Sequence, residues 1–434
     1  MACLLDSQPV ARFQRCCGLF PASEGAAEQA GKVGNGSPLH LPARDVANGR
    51  SSPAKQRAHP PAPGAASNGW KDCSQEYVVK NYFYYYLFRI SAAMGQEVFY
   101  ITFLPFSYWS INPYVARRLI LMWSNLRGQE LLHSRNKPPD LYPSLSEFCP
   151  GFTLLHNMPS SAHTVVMYIG QVSKDLLKWP RPCSPPVVKL EKRTTAEYGM
   201  PSTHAMAATA ISFTFVVTTV NKYKYPLELG LLGAFLFSTL VCLSRIYTGM
   251  HTVLDVIVGS LISAILTALA YPTWDLLDHL MLTSPWCPMF CIIVPLILCY
   301  NYPKLDYYSP TRADTTTILG AGAGAITGFW INNHYVSNVS AEEATHSIPS
   351  VTGDMLLMVL AQFLVGIAVL LIIRQIIKSL ALKSLCSWYK VSINDIEAMQ
   401  QIEIEVPYKF ITYSTIGLSA TVLVPLLHKL LGLN

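Results

Sequence analysis

From Tyr82 to the C-terminus the chain keeps returning to apolar stretches close to the roughly 20 residues that a helix needs to cross a bilayer. These stretches are residues 82–108, 205–220, 227–243, 252–271, 288–300, 317–332, 355–373 and 408–431. Lipid offers no partner to backbone N–H and C=O groups, so such segments must satisfy themselves as helices. Composition agrees. Of the 434 residues, 51% are hydrophobic and 13% charged, against about 25% charged in a soluble domain. A soluble globular enzyme is excluded. The expectation is an all-α, polytopic membrane bundle of about 8–10 transmembrane helices. The aromatic run Tyr82 to Tyr86 suits a membrane interface.

Outside these runs the chain changes character. Residues 1–76 are rich in Ala, Gly, Pro, Ser and Asn and read as a disordered tail, with the membrane domain at 77–434. Asp6 and Arg12 interrupt any signal-peptide core. The apolar residues 119–123 and 165–169 are too short to span, and a polar, proline-containing stretch separates them. Residues 124–164 therefore read as an irregular insertion that splits one transmembrane helix, with a catalytic core at about residues 165–275. Residues 388–407 are charged and read as a surface helix. Cys287 and Cys291 lie in an apolar stretch with no histidine cluster and read as buried thiols.

Three polar clusters mark span ends: Lys174 with Arg181-Pro182, Pro201-Ser202-Thr203-His204, and Ser244-Arg245 with His251 and Asp255. Alternation of spans brings all three to one membrane face. The residue types then fit one task. Lys174, Arg181 and Arg245 supply charge for a phosphate dianion, and arginine can bind two oxygens at once. Ser202, Thr203 and backbone N–H groups at a helix start add donors. His251 and Asp255 are four apart, so a carboxylate can orient the imidazole and make it a nucleophile. His204 is the general acid and then the base. Each residue alone has an ordinary structural reading, a lone histidine at a helix end above all. The ordered set, on one face, does not. The chemistry needs no metal or cofactor, and nothing points to nucleic acid. The sequence sets no oligomeric state.

These clusters resemble the signature of the type 2 phosphatidic acid phosphatase superfamily, with Thr203 where the commoner form has glycine. The stretches KWPRPCSPPVVKLEK, EYGMPSTHAM and CLSRIYTGMHTVLDV, with VARFQRCCGLFPA, NYFYYYLF and YYSPTRADTTTILGAGAG, resemble the sphingosine-1-phosphate phosphatases. The resemblance implies a multi-pass endoplasmic reticulum membrane enzyme that dephosphorylates sphingosine 1-phosphate and dihydrosphingosine 1-phosphate through a phosphohistidine. It also implies a lumenal active site. Counting two spans from a cytosolic tail gives the opposite face, and the sequon at Asn338 lies opposite the motifs. Two other readings remain: a related membrane phosphatase for another phosphomonoester, and a non-catalytic scaffold or transporter. In the loop at 306–317, Arg312 and Asp314 are read as recognising the substrate's polar part, such as its amine.

Overall fold

The computed structural model describes residues 6–22, 77–124, 166–191, 197–220, 223, 225–303, 305, 308–336 and 353–433. Among these the protein is all-α apart from one two-stranded ribbon. Among the described residues, five helices are long and apolar enough to cross a membrane by length and composition: Thr203–Val220, Leu227–Tyr247, Val253–Thr283, Gly353–Tyr389 and Ile402–Leu430.

The expectation of a disordered tail over residues 1–76 is overturned at its start. Helix α1 (Ser7–Cys16) opens at Asp6, whose side chain accepts the N–H of Gln8. Strand β1 (Leu19–Pro21) follows and pairs antiparallel with β2 (Tyr77–Val79). The physical reason is local. Val10, Ala11 and Leu19 are buried against Val187, Val188, Ile246 and Tyr247. An amphipathic turn of helix was averaged away by the Pro- and Ser-rich composition around it. The remainder of that expectation, residues 1–5 and 23–76, lies outside the described residues.

The stretch 82–108 forms two helices, α2 (Tyr82–Met94) and α3 (Glu97–Phe106), broken at Gly95 and Gln96. Asn81 caps α2 by accepting the N–H groups of Phe83 and Tyr84. Tyr82, Phe83 and Tyr86 are exposed, as an interfacial band requires.

Helices α4 (Pro113–Ser124) and α5 (Val166–Leu177) flank residues 125–165, so the insertion expected at 124–164 lies, apart from Ser124, outside the described residues. Its flanks meet. Leu119 and Ile120 of α4 and Met167 of α5 share one buried cluster with Ala207 and Ile211 of α6 (Thr203–Val220). Arg117 of α4 also pairs with Asp278 at 2.9 Å.

Helix α6 is the centre of the half that carries the three polar clusters, packed against α7 (Leu227–Tyr247) and α8 (Val253–Ala270). A short turn leads to α9 (Trp274–Thr283), then α10 (Cys287–Tyr300) and α11 (Pro310–Ile331). Cys287 and Cys291 are both buried, with sulfurs 3.5 Å apart. The second half is built on α11, α12 (Gly353–Tyr389) and α14 (Ile402–Leu418). Small residues let α11 and α14 approach closely: a Cβ added at Gly324 would overlap the Ser414 carbonyl. Leu357, Leu364 and Leu371 of α12 are exposed, as expected for a lipid-facing helix. The surface helix expected at 388–407 is not one element. Helix α12 continues to Tyr389, and a turn carrying the short α13 (Ile396–Met399) leads into α14.

Candidate active site

Four helix ends build the site. Helix α5 ends at Leu177, the positive φ of 50° at the next residue, Lys178, turns the chain out of the helix, and the last turn carries Lys174. The connection from α5 to α6 carries Arg181, Pro201 and Ser202. Helix α7 delivers Arg245 in its last turn, and α8 opens with Asp255 in its first. His251 lies on the tight turn between α7 and α8. Gly249 makes that turn with φ of +72°, and a Cβ there would strike the Val188 carbonyl.

The three clusters expected to converge do so through specific contacts. Lys174 Nζ donates to Thr203 Oγ1 at 3.1 Å. Arg181 Nη1 donates to the carbonyl of Met250, beside His251, at 3.0 Å. The N–H of Ser202 donates to the carbonyl of Asp255 at 3.0 Å, which ties the start of α6 to the start of α8. Gly259 permits the same approach: a Cβ there would stand 2.7 Å from the Ser202 carbonyl oxygen. Ser202 Oγ accepts the N–H of Ala205 at 3.5 Å, a long contact for a helix cap. His204 projects from the first turn of α6, where Gly95, at the α2–α3 break, lies against its ring.

His251 Nδ1 stands 3.7 Å from Asp255 Oδ2, which is proximity without a hydrogen bond. The carboxylate has a second duty. Thr252 caps α8 by accepting the N–H of Asp255, and Asp255 Oδ2 accepts the N–H of Thr252 at 2.7 Å, a capping box. Burial, followed by the positive charges of Arg181, Arg245 and Lys174, holds the His251 pKa well below the ordinary histidine range. The imidazole is therefore neutral and has a lone pair to offer.

Two carboxylates complete the cluster. Lys174 and Arg181 both reach Glu197 Oε2, at 3.3 and 3.1 Å, and Arg245 grips Glu191 with two bonds of 2.9 and 3.1 Å. Burial alone raises the Glu197 carboxyl, but Lys174 and Arg181 outweigh it and hold the pKa below the usual range.

The matching family is the PAP2 superfamily, over residues 160–277. Human sphingosine-1-phosphate phosphatase 2 is 52% identical over 442 residues, covering 99% of this chain and 98% of that protein. The chain belongs to the sphingosine-1-phosphate phosphatase family of the PAP2 superfamily. Rat sphingosine-1-phosphate phosphatase 1 is 33% identical, covering 99% of this chain and 97% of that protein. A yeast dihydrosphingosine 1-phosphate phosphatase, YSR3, is 29% identical over 40% of this chain and 44% of its own. No solved structure matches significantly.

Within this lipid phosphatase family frame, sequence reasoning missed Glu191 and Glu197, although both sit in the stretches that carry the resemblance. It also missed Gln14 of α1, which is buried. Gln14 Nε2 donates to the carbonyls of Val188 and Tyr247, at 2.7 and 2.8 Å, and its Oε1 accepts the N–H of Val188 at 2.9 Å. Arg312, next to Thr311 at the start of α11, has partners within the protein. It is bound to Glu405 at 2.7 Å and to the carbonyl of Gln400 at 2.8 Å, which commits it to holding α11 against α14.

Proposed function

We propose that this protein hydrolyses the phosphate monoester of phosphorylated sphingoid bases, sphingosine 1-phosphate and dihydrosphingosine 1-phosphate, to the free base and phosphate in the endoplasmic reticulum membrane. The observation that carries the reading is a buried His251 facing Asp255, in a site whose three cationic side chains, Lys174, Arg181 and Arg245, are also buried. Near-full-length similarity to proteins named for these substrates supports the choice of lipid.

Because Nδ1 faces Asp255, Nε2 of His251 attacks phosphorus. Lys174, Arg181 and Arg245 bind the non-bridging oxygens and stabilise the charge of the transition state. As the P–O ester bond breaks, His204 gives its proton to the departing alkoxide. Asp255 offsets the charge that His251 gains. A water then attacks the phosphohistidine, giving its proton to His204. The P–N bond breaks and phosphate leaves.

The test is phosphate release by purified protein in detergent from sphingosine 1-phosphate, dihydrosphingosine 1-phosphate, phosphatidate and glucose 6-phosphate, with EDTA present. Turnover of the two sphingoid phosphates is expected, with loss in His251→Ala. Turnover that persists in His251→Ala, or that EDTA abolishes, removes the mechanism. Selective turnover of glucose 6-phosphate or phosphatidate removes the substrate assignment.

A further inference from the structure

Each cation assigned to phosphate already holds a carboxylate. Lys174 and Arg181 share Glu197, and Arg245 is occupied on two nitrogens by Glu191. Both glutamates come from the one connection between α5 and α6. These are not surface ion pairs. The cationic side chains are 2%, 6% and 0% exposed, and those of Glu197 and Glu191 are 13% and 15% exposed. Carboxylate and phosphate oxygens present the same kind of acceptor to lysine and arginine. In the mechanism proposed above, phosphate oxygens take the cations that the glutamates now hold.

The charges then decide what the site prefers to bind. Three cations against two glutamates leave the cluster with one positive charge. A phosphate dianion changes that to one negative charge. In the loaded site Asp255 does not alter the sum, because the proton that His204 carries as the acid cancels it. A buried, uncompensated charge is costly. A ligand with its own positive charge next to the phosphate restores neutrality. A phosphorylated sphingoid base has one, since its ammonium sits on the carbon adjoining the ester carbon. A diacyl lipid phosphate and an N-acylated sphingoid phosphate have none.

We propose that Glu197 is the residue that reads the substrate's ammonium. In the empty site its carboxylate holds Lys174 and Arg181. When phosphate takes those cations, the carboxylate passes to the ammonium beside it. Glu197 suits this exchange better than Glu191. It meets both cations through one oxygen, whereas Glu191 is held through both of its oxygens by a single arginine. Its backbone is also fixed, because its carbonyl accepts Arg181 Nε at 2.8 Å and, two residues on, the N–H of Gly199 donates to the Trp179 carbonyl at 2.7 Å. Only the side chain has to swing.

This inference rests on the sphingoid substrate proposed above, and its test separates the two. Full-length protein in detergent is assayed for kcat/KM on sphingosine 1-phosphate and for competitive inhibition by ceramide 1-phosphate, the N-acylated form, and by inorganic phosphate. Glu197→Gln is expected to lower kcat/KM on the amine-bearing lipid by about tenfold or more. Ceramide 1-phosphate and inorganic phosphate are expected to inhibit the variant at equal or lower concentration than wild type. Parallel weakening of all three ligands, or an unchanged kcat/KM, overturns the proposal. If E197Q is not recovered folded, E197A, which also removes the charge, reads the same contrast. Selective loss on the amine-bearing lipid supports the role, and parallel loss or no loss refutes it. Failure of the substrate reading shows separately, as wild-type protein that releases no phosphate from sphingosine 1-phosphate.

Discussion

Oδ2 of Asp255 lies 3.7 Å from Nδ1 of His251 while accepting the Thr252 backbone N–H at 2.7 Å. One carboxylate both closes the capping box of α8 and faces the imidazole. The two duties separate by substitution. An Asp255→Asn side chain still accepts the Thr252 N–H through its amide oxygen but carries no charge. Its melting temperature is expected to stay near wild type while kcat falls by up to about 10⁴-fold, the scale seen when a histidine loses its carboxylate partner. Asp255→Ala loses the cap as well and is expected to cost about 1 kcal/mol more in stability. Parallel kcat and thermal unfolding measurements in detergent check both; equal destabilisation of the two variants would refute the division.

Acid should expose the environment of His251. Burial and the neighbouring cations depress its pKa, so the folded state keeps the imidazole neutral at pH values where a free histidine, near pKa 6.5, takes up a proton. The sign for activity follows. The nucleophile survives below pH 6.5 and is lost only as pH falls through the lower, folded value. The sign for stability is opposite to that of a paired histidine. Below about pH 6.5 the unfolded chain binds a proton that the folded one does not, so acidification destabilises the protein. The profile of kcat/KM, corrected for the substrate's second phosphate ionisation near pH 6, is expected to hold its plateau below pH 6.5. An acid limb centred at 6.5 or above would contradict it.

Much of this was legible because the constraints were local or topological. Apolar length gave the helices, and span alternation placed Lys174, His204 and His251 on one face. What stayed hidden depended on partners distant in sequence. Nothing in the composition around Gln14 says that it will meet Val188 and Tyr247, 174 and 233 residues away. Glu191 and Glu197 read as loop charges until the fold sets them on Arg245, Lys174 and Arg181. The long apolar α12 read correctly as a span, but no local signal shows it continuing to Tyr389, so the charged residues after it looked like a separate helix.

The N-terminal helix should matter to catalysis through the loop it grips. Gln14 holds both the N–H and the C=O of Val188, and Ser7 Oγ accepts the N–H of Cys183 at 2.9 Å. Both contacts bear on the connection that carries Arg181, Glu191 and Glu197. Gln14→Ala leaves buried backbone groups without partners, at about 1–3 kcal/mol. Phosphate release is expected to fall with KM rising, because the phosphate cations lose their frame while His251 and Asp255 keep theirs. Removal of residues 1–22 should reproduce the loss. Full activity in either variant, at matched protein recovery, would show α1 to be dispensable.

Orientation in the membrane can be read from one asparagine. Thr311 Oγ1 donates to Asp175 Oδ2 at 2.6 Å, which sets the start of α11 beside Lys174 and hence at the catalytic face. Taken as the span that its apolar residues 317–332 suggest, α11 has 22 residues, about 33 Å at 1.5 Å per residue, enough to end on the opposite side of a bilayer core. Asn338, in the sequon Asn338-Val339-Ser340, follows that far end in sequence. A lumenal active site therefore places this sequon in the cytosol, where no glycan is added. Protein made in cells is expected to show no mobility shift with endoglycosidase at Asn338, scored against Asn338→Gln. A glycan there would put the catalytic face in the cytosol and leave the chemistry of His251 unchanged.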